Sequence, residues 1–269
     1  MKAIVDWLTT NGAGFFDGLS ALFESLIDSI LWFMELPNPL LAVAIITAFS
    51  YWLKSSWKFS VGLALGLLFI INQGYWDETM ETLTLVLSAC VVCMGIGVPI
   101  GIVAAHRPRF YRFLRPILDL LQTLPTFVYL IPAIVFFGIG MVPGLIATAV
   151  FVLPAPIRLT YLGISSTPED QLEAGAAFGG NRWNILFNIE LPHARPQIFA
   201  GLTQTIMLSL SMVVIAALVG ADGLGVPIVR ALNTVNTSLG FEAGFVIVAV
   251  AILLDRLLSG DTDKKKKSN

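Results

Sequence analysis

Long apolar runs almost free of charge are the feature that most narrows what this chain can become. A helix that crosses the hydrocarbon of a bilayer needs about 20 consecutive, mostly apolar residues. Seven stretches approach or reach that length, at about 38–53, 57–72, 82–104, 117–137, 142–162, 197–219 and 240–258. Composition agrees, since only 13% of the residues are charged and a soluble domain carries about a quarter. The expected fold is therefore an all-α polytopic membrane protein with about seven transmembrane helices. The first two stretches are short. A shallow hairpin there would bring Lys54 and Lys58 into hydrocarbon, so two spans are expected, tilted or thinning the bilayer locally.

Basic residues accumulate in cytoplasmic loops. Lys54 and Lys58 separate spans one and two, and Arg107, Arg109, Arg112 and Arg115 separate spans three and four. Arg158, Arg182 and Arg195 lie at or between spans five and six, and Arg256 with the run Lys264 to Lys267 follows span seven. Alternating spans put all of these on one side, and of 16 basic residues only Lys2 and Arg230 fall on the other. The C-terminus is expected inside and the N-terminus outside. The outer side collects Asp77, Glu78, Glu81 and Asp222.

The N-terminus lacks the clean apolar core of a signal peptide, because acids follow Lys2 at Asp6 and Asp17. Within residues 1–37, Asp17, Glu24, Asp28 and Glu35 recur at spacings that share one helical face, with Phe, Leu and Ile opposite. This amphipathic segment fits a helix lying on the outer membrane surface, or equally one packed on the other spans. Residues 38–72 read as two accessory spans, 75–258 as a core, and 259–269 as a cytoplasmic lysine-rich tail anchored near anionic lipid.

Gly62-x-x-x-Gly66 and Gly97-x-x-x-Gly101 are spacings that let helices approach closely. Pro99, Pro125, Pro132, Pro154 and Pro156 fall in or near spans, where each is expected to kink or break its helix. Cys90 and Cys93 have no Cys or His nearby to complete a metal or redox site, so they read as small buried hydrophobes.

Residues 165–196 are too polar to cross and read as a helix–turn–helix. Thr167 suits an N-cap, Pro168 the first helical position and Asp170 the acid of a capping box. Gly179-Gly180 stops the first helix, Asn181 caps a second, and Pro192 is expected to end it. The small residues Ala174, Gly175, Ala176 and Ala177 leave a thin face. That face suits a groove on a partner or a return onto the chain's own spans.

The spacing Glu173-Ala174-Gly175, three residues, Gly179, nine residues, Ile189-x-Leu191-Pro192 resembles the cytoplasmic signature of ABC importer permeases. In that family the motif reads Glu-Ala-Ala, three residues, Gly, nine residues, Ile-x-Leu-Pro. Gly175 stands where the family has a second Ala, a small-for-small change. A second run, Leu121-Gln122-Thr123-Leu124-Pro125-Thr126-Phe127-Val128-Tyr129-Leu130-Ile131-Pro132 followed by Phe137-Gly138-Ile139-Gly140 and Ile157-Arg158-Leu159-Thr160, resembles the permeases of glycine betaine, proline betaine and choline importers. The resemblance covers about 75–258 and is strongest over 116–196.

It implies a core of five helices with added N-terminal spans in a bacterial plasma (inner) membrane. It implies a permease homodimer and a separate external substrate-binding protein. It implies an ATPase subunit in two copies that docks on the 165–196 loop. Glu173, Ala174 and Gly179 would lie at that contact, with Gly175 and Ile189 in the signature, and Leu191 and Pro192 would shape the return helix. ATP and Mg would sit on the ATPase, with no cofactor on this chain. The cargo would be a quaternary amine, and no nucleic acid is a partner.

The residues on their own agree with a non-catalytic chain. No Gly-x-x-x-x-Gly-Lys-Ser/Thr cradle, Ser/His/Asp set or metal cluster is evident, and His106 and His193 read as surface or interface residues. Candidate pathway residues are Gln122, Thr123, Pro125, Thr126 and Tyr129 on the broken span, with Ser209 and Ser211 on span six. Polar groups at membrane depth usually face protein or water, and a quaternary ammonium suits carbonyl dipoles and aromatic faces. Gln122, Thr123 and Thr126 serve equally well as bonds between helices. Asp119 reads as a first-turn acid near the cytoplasmic boundary. The rival function is an ATP-independent secondary transporter of small amines, which would want an inverted repeat and a buried ion site; neither is evident.

Overall fold

A bilayer interior offers no water, so backbone N–H and C=O groups must pair within their own segment, and helices achieve this over any length. The computed structural model describes residues 12–54 and 56–258, and every regular element among them is helical. Lys2 and the tail 259–269, with its lysine run, lie outside the described residues. The helices run in order α1 (Ala13–Glu35), α2 (Pro39–Lys54), α3 (Trp57–Asn72), α4 (Trp76–His106), α5 (Pro108–Thr123), α6 (Phe127–Phe137) and α7 (Met141–Val152). They continue as α8 (Pro154–Ser165), α9 (Glu169–Ala177), α10 (Arg182–Ile185), α11 (Leu191–Ala217), α12 (Gly225–Thr234) and α13 (Thr237–Leu258). One π turn, Leu186–Glu190, joins α10 to α11.

Trp76–His106, Met141–Ser165, Arg182–Ala217 and Thr237–Arg256 are long and apolar enough to cross a membrane. The broken pairs α1–α2 and α5–α6 each qualify together, and Trp57–Asn72 is a shorter apolar helix. Every expected span therefore coincides with a helical stretch, but the prolines do not all behave as expected. Pro125 does sit in a gap, after Leu124 has turned extended at φ −64° and ψ 136°, the conformation a residue before proline prefers. Pro154 opens α8. Pro99 and Pro132 instead lie inside α4 and α6 without ending them.

The chain forms two compact units. Among the described residues, the first is built from those up to 88, from 130–147 and from 210 onward. There α3 buries Ser60, Leu63, Leu67 and Ile70, a spacing that keeps one face inward. Of the pair Gly62 and Gly66, only Gly66 meets a neighbour, Leu253 of α13. The first turns of α4 bury Thr79, Thr82, Thr84 and Ser88, and the Leu224 N–H donates to Thr82 Oγ1 at 2.8 Å. Helix α1 packs on this unit. Ile27 is buried and Phe16 stacks on Phe136 with ring centroids 4.6 Å apart. Its acids Glu24 and Asp28 face a cavity of about 350 Å³ that Glu81 and Asp222 also line, while Phe15, Leu22, Trp32 and Phe33 stay exposed.

The second unit holds residues 89–129 and 148–209. Its centre is α8, approached closely from two sides. A Cβ on Gly97 would stand 2.8 Å from Pro156 Cγ, and one on Gly101 would stand 2.7 Å from Thr160 Cβ. One on Gly163 would stand 2.8 Å from Ala194 Cβ of α11. Only glycine allows backbones this near, so α4 and α11 both press on α8 through missing side chains.

Candidate functional site

The 165–196 loop grows out of α8 and returns into α11. Its first helix starts one residue later than the capping pattern predicts. Pro168 is extended, at φ −60° and ψ 137°, so it precedes α9 instead of opening it. The Thr167 hydroxyl does not cap α9, because it donates to the Ile164 carbonyl at the end of α8, 2.9 Å away. Glu169 and Asp170 fill the first turn of α9, where the helix dipole favours acids. Helix α9 buries none of its residues. Gly179 ends the segment at φ 81°, a left-handed backbone that other residues adopt at a cost of roughly 1–2 kcal/mol. Asn181 caps α10 as its sequence suggests, accepting from the Asn184 N–H at 2.8 Å.

Pro192 does not end the return helix, and helix continues through it to Ala217. Proline removes a donor and clashes with the carbonyl four residues back. The π turn just before it, with the Leu191 N–H donating to the Leu186 carbonyl, widens the helix there. Leu186 anchors the return arm in a small core with Ile164 and Ala194. A Cβ on Gly175 would stand 2.4 Å from Ile189 Cδ1. Gly175 is thus where the outgoing helix meets the returning one, which accounts for the smallest residue at that place. Glu173, Ala174 and Gly179 are exposed, as is Pro192, while Gly175, Ile189 and Leu191 are half-buried.

The loop also carries aromatic residues whose exposure the sequence reading did not foresee. Phe178 is 94% exposed, Trp183 67% and Phe187 60%. The Trp183 and Phe187 rings stack at 6.1 Å. A shallow groove beside them is lined by Gln171, Ala174, Gly175, Phe178, Ile189 and Pro192, among others. A polar loop with three bare aromatic rings is a surface that wants a partner.

The pathway candidates are only partly gathered. Asp119 is no first-turn acid, since α5 begins back at Pro108 and places it in the last turns. Its Oδ1 accepts from Arg158 Nη2 at 2.6 Å, while Gln122 Oε1 accepts from Arg158 Nη1 at 2.9 Å. Arg158 on α8 thus holds two residues of α5, and Tyr111 stacks on Tyr161 between the same helices with centroids 3.5 Å apart. The Tyr129 hydroxyl donates to the Leu121 carbonyl across the helix break. Thr123 is exposed and donates to Leu120, Pro125 is exposed, and Thr126 is half-buried. On α11, Ser209 is fully buried with no partner for its hydroxyl, whereas Ser211 is exposed. The structure therefore joins Gln122 and Tyr129 to a helix-to-helix network and leaves Ser209 and Ser211 on differing faces.

Residues 97–259 match the family described as binding-protein-dependent transport system inner membrane component. The chain is 44% identical over 266 residues to the glycine betaine transport system permease protein OpuAB of Bacillus subtilis, covering 97% of this chain and 93% of that protein. It is 40% identical to the glycine betaine/carnitine transport permease protein GbuB of Listeria monocytogenes, covering 98% and 94%. It is 39% identical to the glycine betaine/proline betaine transport system permease protein ProW of Escherichia coli, covering 98% and 75%. Among solved structures, an inward-facing form of the MetNI methionine ABC transporter superposes with a TM-score of 0.60 at 22% identity, over 71% of this chain and 96% of that one. That last likeness concerns the fold.

Proposed function

This chain belongs to the family of binding-protein-dependent transport system inner membrane components, and from that premise we propose that it is the pathway by which a quaternary amine such as glycine betaine, proline betaine or choline enters the cytoplasm. It is a multi-pass permease of the inner membrane and a transporter subunit, not an enzyme. The relatives' names support the choice of cargo, since three that match over nearly the whole chain at 39%, 40% and 44% identity are named for glycine betaine. Such family members work with an ATPase and a substrate-binding protein. In our reading two copies of each of permease and ATPase assemble, ATP and Mg stay on the ATPase, and the N-terminus faces outward.

The observation that carries the mechanism is the exposed aromatic surface of the 165–196 loop at the position of the family signature. The ATPase docks there, with Glu173, Ala174 and Gly179 at or near the contact. ATP binding pushes α9, and the push enters the membrane along α8, which α9 follows directly. Arg158 then passes it to Asp119 and Gln122, next to the break between α5 and α6. The pathway re-aims by rigid movement of helices. A quaternary ammonium offers no N–H, so carbonyls freed near Pro125 and the ring of Tyr129 suit it better than carboxylates do.

The test is reconstitution with an ATPase and a substrate-binding protein of the same transport family. Phe178→Ser with Trp183→Ser should leave the permease folded, abolish co-purification of the ATPase and stop uptake of labelled glycine betaine. An ATPase that binds the double variant as well as the wild type would refute the docking assignment. Uptake by the permease alone would refute ATP coupling.

A further inference from the structure

Glu190 is a buried acid on a loop whose first helix buries nothing: its side chain is 9% accessible. Both of its oxygens face one group, Nε2 of His106, at 3.0 and 3.2 Å. His106 is the last residue of α4, 84 positions away in the chain. The other ring nitrogen, Nδ1, lies 2.9 Å from the Ile102 carbonyl. A carbonyl only accepts, so Nδ1 carries a hydrogen and donates it. The imidazole is thereby fixed in orientation, with Nε2 aimed at the carboxylate.

The backbone is shaped at the same place. Glu190 is the final residue of the π turn, and such single π turns inside helices tend to mark functional sites. The extra residue sets the angle at which Glu190 leaves the helix relative to Leu186, which is buried against Ile164 and Ala194. Ile102 and Ala105 of α4 pack on that same small core.

The connections close a ring. Helix α8 leads directly into the loop, and the loop returns into α11. Helix α4 presses on α8 at Gly97 and Gly101, and α11 presses on α8 at Gly163. His106 to Glu190 ties the returning arm back to α4. Without that tie, a push on the loop can be absorbed by hinging at its two ends. With it, the loop has a third fixed point.

We propose that His106 and Glu190 form a latch that fastens the return arm of the 165–196 loop to the end of α4, so that force applied to the loop moves α4, α8 and α11 together. His106 is a positioning residue here: it acts through Glu190 and touches neither cargo nor nucleotide. The proposal rests on the reading of the loop as the ATPase-docking element. It adds α4 to the lever, a helix the family signature does not include.

Two measurements test it, on the permease in lipid nanodiscs and on the full complex in proteoliposomes. In the permease alone, His106→Ala should raise hydrogen exchange at residues 182–191, while His106→Gln, whose amide still donates to Glu190, should restore protection. In the complex, His106→Ala should keep ATP hydrolysis but lower cargo imported per ATP at least about fivefold, the lower end of ordinary coupling between sites. His106→Gln should recover most of that ratio. The double variant His106→Ala with Glu190→Gln should be no worse than His106→Ala alone. Unchanged exchange in His106→Ala overturns the latch. So does an unchanged import-to-ATP ratio, or losses that multiply in the double variant. A wild-type complex that hydrolyses ATP yet imports no quaternary amine would sink the proposed cargo, and the exchange arm would still decide the latch.

Discussion

Gly101 shows how much a single absent side chain can hold. A Cβ there would fall 2.7 Å from Thr160 Cβ and 2.8 Å from the Ile157 carbonyl oxygen. The oxygen is backbone and cannot rotate away, so Gly101→Val must push α4 off α8. Overpacking of this kind costs roughly 1–3 kcal/mol. A lowered unfolding midpoint in detergent is expected, together with lost uptake, and a midpoint equal to wild type would contradict the close contact. At this scale the sequence was a partial guide. Gly97 and Gly101 announced themselves by spacing and do meet a helix, but Gly62, with the same spacing to Gly66, faces open space. The Arg158 and His106 contacts bridge 39 and 84 positions. No periodicity connects residues so far apart, so neither pair was legible beforehand.

Helix ends tell a similar story. Helix α12 closes on Val235, which sits in the left-handed region at φ 53° and ψ 34°. A β-branched residue is a poor occupant of that conformation, and glycine is free of the penalty of about 1–2 kcal/mol. Val235 is 84% exposed, so little packing is lost in Val235→Gly. That variant should unfold at a higher temperature than wild type, and a lower midpoint would mean that the side chain has a contact worth more than the strain. The helical stretches themselves were readable from apolar length, because lipid imposes that length on any crossing helix, although among the described residues four reach crossing length singly and two more only as bent pairs. Their ends were not. Thr167 and Pro168 carry the letters of a cap, yet the Ile164 carbonyl claims the hydroxyl. Pro192 carries the letter of a stop, yet a π turn lets the helix pass. In both places a local preference yielded to a neighbour in space.

For the whole molecule the basic residues argue an orientation, with the C-terminus in the cytoplasm. A single cysteine introduced among Lys264–Lys267 should react with an impermeant maleimide only after the cells are opened, and labelling of intact cells would reverse the assignment. The native Cys90 and Cys93 are buried and should stay silent. The bare rings of Phe178, Trp183 and Phe187 carry a last consequence. If the loop is the cytoplasmic ATPase-docking element as proposed, a copy made without its ATPase would display three aromatic side chains to the cytosol, which is the sort of signal by which damaged or surplus chains are recognised and destroyed. One surface would then serve two ends, as a socket in the finished machine and as a tag of incompleteness before it. Chains lacking the ATPase should therefore have a shorter half-life in a pulse-chase than assembled ones, and replacing the three rings with serine should lengthen the life of the orphan while ending its career as a transporter.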